Sequence, residues 1–320
     1  MSDTPGERMS RALISLEGLA TGDACGDHFR PIGLEWNRPL AVERAKRSAP
    51  WRFTDDTQMA LSIVTTLRLH GEIDQDDLAL SFGRHYDISR GYGPAMHELL
   101  PAIRSRRPWR AAAKMLFGGS GSFGNGSAMR VAPLGAYFAD EPELIPEQAA
   151  RSAEVTHAHP EALAGAIAVA LAAACAWRQR ESDATPSRVD FLEQVIARTP
   201  ESAVRRGLEE ACDLPADATP DIAAIALGNG SRVTCPDTVP YCLWVASGNL
   251  RHWEEAFWQA LGDAGDRDTA CAIVGGVVAS GVGMEGIPPE WRDMREPLPQ
   301  WGMVTWDSAS HVGAALLHYS

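Results

Sequence analysis

Residues 162–177 read ALAGAIAVALAAACAW, one of the two longest charge-free stretches in the 320-residue chain. The stretch is dominated by alanine and falls short of the roughly 20 residues that a membrane crossing needs, so a buried core helix fits it better. Helical periodicity recurs on both sides of it: MALSIVTTLRLHG after Gln58, LALSFGRHY from Leu78, DFLEQVIAR from Asp190 and CAIVGGVVASGVG near the end. Alternating strand patterns are scarce. Pro and Gly collect in the connections 30–39, 90–94, 117–126, 213–220 and 288–299, and none of these reads as a long flexible linker. The expectation is one compact, all-α domain over residues 1–320, with close helix packing through its many small residues.

Composition narrows the function. Hydrophobic residues make up 45% and charged residues 22%, as in an ordinary folded soluble protein. A net charge of −13 repels phosphate backbones, and the densest basic cluster, Arg104, Arg106, Arg107 and Arg110, reads as a solvated face or loop. Nucleic acid is therefore set aside as a partner. The six cysteines lie far apart without a CxxC pair, which predicts reduced, mostly buried thiols rather than a zinc site or a disulfide framework. The apolar run Ala12–Leu16 is broken by Glu17, so no signal-peptide core is expected. No membrane role and a cytoplasmic location follow as expectations.

Two short acidic motifs precede helical patterns: FTDDT at 53–57 and DRDT at 266–269. Each sets a threonine hydroxyl beside two carboxylates, and hard divalent cations prefer such oxygens. Helix capping explains them too, since Thr54 is an acceptable cap and Asp55 with Gln58 resembles a capping box. Two oxygen-rich helix starts could nonetheless converge to supply six ligands for two cations. Between them, GGSGSFGNGSAMR (118–130) contains GxGxxG, but the preceding AAAKMLF reads helical, which argues against a dinucleotide-binding turn. Such a loop can wrap an anion with backbone N–H groups, or be a structural turn. In THAHPE (156–161) two histidines stand without a further ligand at metal spacing, and His157 alone reads as a hydrogen-bonded polar residue.

Taken together, GLATGDACG (18–26), FTDDTQMA (53–60), FGNGSAMRVAPLG (123–135), THAHPEALAGA (156–166) and GDRDTACAIVGG (265–276) resemble the ADP-ribosylglycohydrolases, in family order and almost end to end. GNGSRVTCPDTVPYCLWVAS (228–247) and GMEGIPPEW (283–291) look like further family segments.

The resemblance implies an orthogonal helical bundle of that family's type and two Mg²⁺ or Mn²⁺ ions held by Thr54, Asp55, Asp56, Asp266, Asp268 and Thr269. It implies a substrate site made by Ser122, Phe123, Gly124, Asn125 and His157, with Phe123 stacked on adenine and His157 lining the ribose pocket. Asp55, Asp56, Asp268 and Asp87 become candidates for catalysis.

The activity implied is hydrolysis of the glycosidic bond between ADP-ribose and a modified protein side chain, arginine foremost, with ADP-ribose as product. The alternatives are another ADP-ribosyl linkage, or a non-catalytic ADP-ribose-binding or structural member. Many relatives carry a glutamate four residues beyond the second Gly of GDxxG, where this chain has Arg30, and Glu35 or Asp27 would have to substitute for it.

Overall fold

The computed structural model describes residues 4–29, 49–180, 182, 186–299 and 301, so Arg30 and Glu35 lie outside the described residues. Among the described residues there are fifteen α-helices, three 3-10 turns and no strand, with isolated bridges joining Trp51 to Arg295 and Gly124 to Thr234. The all-α expectation holds, and the helical patterns appear as helices Asp55–His70, Gln75–His85, Arg188–Ile196 and Arg267–Val282.

The alanine-rich stretch lies in helix Pro160–Arg178, whose 19 residues reach the length of a bilayer span. Its side chains from Ala164 to Ala176 are nonetheless buried against other helices, and Gly135 of helix Ala132–Tyr137 sits directly against the Ala170 backbone. It is the central core helix, where small side chains let neighbours approach closely.

A second close contact sets the position of the acidic motifs. Gly18, Gly22 and Gly26, one turn apart on helix Pro5–Phe29, face Gly275, Cys271 and Arg267 on the antiparallel helix Arg267–Val282. A Cβ on Gly26 would stand 2.7 Å from the Arg267 carbonyl oxygen, and one on Gly22 would collide with the Cys271 carbonyl. The backbones touch because there is no side chain between them. The crossing carries the TGDACG end of the first helix to the DRDT start of the second, and so places the charges of both Asp23 and Asp268 near Asp56.

The FTDDT motif is pinned from behind. Trp51 donates its N–H to the Met294 carbonyl (2.6 Å), and Glu296 donates its N–H to the Trp51 carbonyl (2.8 Å). The Glu296 carboxylate accepts the Phe53 N–H at 3.0 Å and pairs with Arg90, whose guanidinium lies 4.0 Å over the Phe53 ring. Beneath this, the buried pair Arg295–Glu17 at 2.8 Å ties the segment to the first helix. Elsewhere, in the basic cluster, Arg110 lies 4.4 Å over the ring of Trp109, which is buried and donates its ring N–H to Asp76.

Candidate active site

Thr54 is the N-cap of helix Asp55–His70, its hydroxyl accepting the Asp56 N–H at 3.3 Å. The capping reading therefore survives on Thr54, but not as a box between Asp55 and Gln58, because the Gln58 amide oxygen accepts the Tyr92 hydroxyl at 2.7 Å. Asp55 and Asp56 are left in the first turn with their carboxylates uncommitted to the cap. At the second motif Asp266 occupies the N-cap position of helix Arg267–Val282 yet makes no side-chain cap bond; its carboxylate instead accepts from the Asn125 amide at 2.8 Å. Both motifs thus present oxygens at the positive end of a helix, where negative charge is favoured.

Between the two stands Asp23, a residue that reading the motifs one by one did not single out, although it lies in TGDACG. It is fully buried and accepts four bonds, from Thr54 N (2.9 Å), Thr54 Oγ1 (2.7 Å), Thr57 N (3.1 Å) and Thr57 Oγ1 (2.5 Å). The Thr54 hydroxyl also lies 2.9 Å from Asp56 Oδ2. The hydroxyl has a single proton and can donate to only one of the two carboxylates at a time.

Burial, together with the neighbouring Asp23, pushes the Asp55 carboxyl up to about 8, and burial raises Asp23 to about 6. Burial and then the charges of Asp23, Asp268, Asp55 and Asp266 hold Asp56 well above the usual carboxylate range. Asp56 Oδ1 is buried with no hydrogen-bond partner among the described residues. A site with this excess of buried oxygen and negative charge fits a cation. Among the described residues, however, no three carboxylate, imidazole or thiol groups already form a closed ligand shell.

The two helix starts open onto a cavity of about 790 Å³, ample for a nucleotide-sized ligand. Asp55, Asp56, Asp266, Asp268 and Thr269 line it together with Ser122, Gly124, Asn125 and His157. The glycine loop is held open by backbone bonds to the 228–235 segment, with Asn125 N–H on the Val233 carbonyl (3.3 Å) and Cys235 N–H on the Phe123 carbonyl (3.0 Å). Asp237 keeps that segment in place by accepting the Arg232 N–H at 2.8 Å.

Two candidates stand apart from this lining. Phe123 is 42% exposed, and its ring packs 5.2 Å from that of His159. Asp87 caps the 3-10 turn Ile88–Arg90, accepting the Ser89 N–H at 2.9 Å, and its bonds to Ser89 hold its carboxyl below the usual range. Phe117, which sequence reading passed over, does line the cavity: it is 64% exposed and its φ of 53° turns the chain out of helix Trp109–Gly119. A positive φ cannot be read from a phenylalanine, so only the following Gly118-Gly119 hinted at the break.

An all-α bundle that gathers two acidic helix starts and a glycine-rich loop around one cavity fits a hydrolase acting on a nucleotide-sized ligand. The chain belongs to the ADP-ribosylglycohydrolase family, whose model matches residues 4–312. It is similar to the ADP-ribosylhydrolase ARH3 of Xenopus tropicalis, 30% identical over 89% of this chain and 90% of that protein. It is also similar to the ADP-ribosylarginine hydrolase Tri1 of Pseudomonas putida (strain GB-1), 25% identical over 90% of this chain and 75% of that one. A solved structure titled ADP-ribosylglycohydrolase-related protein complex superposes with a TM-score of 0.65, at 26% identity, covering 91% of this chain and 93% of the other. The protein is an ADP-ribosyl hydrolase.

Proposed function

We propose that this enzyme is a metal-dependent hydrolase that releases ADP-ribose from a modified protein side chain, with arginine as the linkage. The observation that carries the reading is that Asp55, Asp56, Asp266 and Asp268 line the same cavity as Ser122, Gly124 and Asn125 of the glycine loop. Thr54, Asp55, Asp56, Asp266, Asp268 and Thr269 would hold two Mg²⁺ or Mn²⁺ ions. Such ions, when bound, lower the pKa of water and polarise sugar oxygens.

The chain's own groups do the rest. The glycine loop at Ser122–Asn125 would receive the diphosphate, with the Gly124 and Asn125 N–H groups holding the loop's own shape through Ser122 Oγ and the Val233 carbonyl, and Asn125 also braces Asp266 through its amide. A carboxylate of the acidic wall accepts the proton of the attacking water while the bond from the anomeric carbon to the side-chain nitrogen breaks through an oxocarbenium-like state. The water oxygen ends on the anomeric carbon, and the proton ends on the departing guanidine. Neither Asp87 nor Phe123 contributes to the cavity wall, so proton transfer falls to the Asp55, Asp56 and Asp268 group and ring contact to Phe117. The site works within a single domain over residues 1–320, in the cytoplasm, where the five buried and one half-buried free thiols stay reduced.

Arginine is favoured because a cationic guanidine suits an acidic cleft and because Tri1 carries that substrate in its name. A different ADP-ribosyl linkage is the second reading, since the more similar ARH3 relatives are named only as ADP-ribosylhydrolases. A panel of ADP-ribosylated arginine, serine and polymer substrates, assayed for released ADP-ribose with and without chelator, separates the two. Fastest release from arginine, lost in chelator, supports the proposal; release from another linkage alone replaces the substrate; release unaffected by chelator overturns the metal.

A further inference from the structure

Arg130 is fully buried in the core and forms no ion pair among the described residues. Its guanidinium lies 4.5 Å over the Phe82 ring and donates to the Ser152 carbonyl (3.0 Å) and to Thr156 Oγ1 (2.9 Å). Thr156 Oγ1 in turn lies 2.7 Å from Nδ1 of His157. Burying a cation this way is costly, and burial lowers the Arg130 pKa to about 9. A purely structural residue at this position could have been apolar.

The proton count along this chain is determinate. Arg130 can only donate, so Thr156 Oγ1 accepts from it. The single proton of the Thr156 hydroxyl then has one acceptor in reach among the described residues, His157 Nδ1. Were Nδ1 protonated instead, that buried hydroxyl proton would have nowhere to go, at a cost of an unmade hydrogen bond. The ring is therefore an acceptor at Nδ1 and carries its hydrogen on Nε2. Nε2 has no protein partner among the described residues and faces the glycine loop: a Cβ on Gly126 would stand 2.9 Å from it and one on Gly124 3.4 Å.

We propose that Arg130 and Thr156 are positioning residues that lock His157 in its neutral Nε2–H tautomer, making it a fixed hydrogen-bond donor to a ligand oxygen beside the glycine loop. The ligand oxygen belongs to the ribose or phosphate of ADP-ribose, and to that extent the proposal rests on the function given above. Burial and then the Arg130 charge lower the His157 pKa to about 3, in keeping with a ring that stays neutral. The acidic groups sharing its cavity, Asp55, Asp56, Glu98, Asp266 and Asp268, form no hydrogen bond to the ring.

Long-range ¹H–¹⁵N correlation spectra of the full chain read the tautomer directly, without ligand. The wild type is expected to show Nε2–H with no titration between about pH 5 and about pH 8. Thr156→Val removes the hydroxyl while keeping its shape, and is expected to admit the Nδ1–H tautomer and weaken ADP-ribose binding about five- to ten-fold by calorimetry; Thr156→Ser restores both. An Nδ1–H or titrating ring in the wild type, or an unchanged tautomer in Thr156→Val, overturns the lock. A locked tautomer in a protein that does not bind ADP-ribose supports the lock and refutes the ligand instead.

Discussion

Asp23→Asn tests how the acidic site is assembled. The carboxylate accepts two backbone N–H groups and two hydroxyls from Thr54 and Thr57, and through Thr54 it decides where that hydroxyl's lone pairs point. Asparagine keeps the shape but offers one carbonyl oxygen, and turns an NH₂ toward donors that need acceptors. An unmatched buried donor costs about 1–3 kcal/mol. Removing one negative charge from a cluster in which burial and neighbouring carboxylates already push Asp55 and Asp56 upward offsets part of that loss. The fold in chelator should therefore soften only modestly, and Tm should fall by a few degrees at most.

Metal binding has no such compensation. Loss of an outer partner that orients a ligand typically costs about 10- to 100-fold in metal affinity. We expect Mn²⁺ titration by calorimetry to show that loss in Asp23→Asn, accompanied by a smaller metal-induced rise in Tm. Wild-type Mn²⁺ affinity within about two-fold would mean that Asp23 does not orient Thr54 as a ligand, and the reasoning would fail.

Other consequences follow from the same geometry. Asp55, raised to about 8, and Asp23, raised to about 6, bind protons in the native state that an unfolded chain releases near pH 4, so stability present at low pH is lost as pH climbs through about 4 to 8. In chelator, Tm should be higher at about pH 5.5 than at about pH 8, and Mg²⁺ or Mn²⁺ should abolish the difference; a flat profile in chelator contradicts the shifts. Gly22→Ala drives a methyl into the Cys271 carbonyl and should cost about 1–3 kcal/mol or more by denaturant melt, whereas Gly262→Ala, with open space around it, should cost far less. Phe117→Ala should weaken ADP-ribose binding several-fold and Phe123→Ala less, and the reverse order would return the stacking role to Phe123.

Five of the fifteen helices described were legible because each carries its own periodicity, and the alanine-rich stretch declared both a helix and its burial. The acidic motifs were legible as chemistry, but taken alone they read first as helix caps until two positions separated the readings. At Thr54 the side chain caps, while at Asp266 the cap position is occupied by a carboxylate turned away to Asn125. Such choices depend on a partner more than a hundred residues away, which no local spacing encodes.

Asp23 was hidden for the same reason. Its four donors come from the next motif along, and only the Gly18–Gly22–Gly26 crossing shows why that stretch must arrive there. Asp87 was placed by its position in the family order rather than by chemistry, and its carboxylate caps the Ile88–Arg90 turn.

Release of ADP-ribose from an ADP-ribosylated arginine substrate, in Mg²⁺ or Mn²⁺, by the wild type and by Asp55→Ala and Asp268→Ala, bears most directly on the central claim. The account predicts turnover by the wild type that chelator removes and cation restores, and no metal-dependent release by either variant. Undiminished turnover in both variants would contradict it.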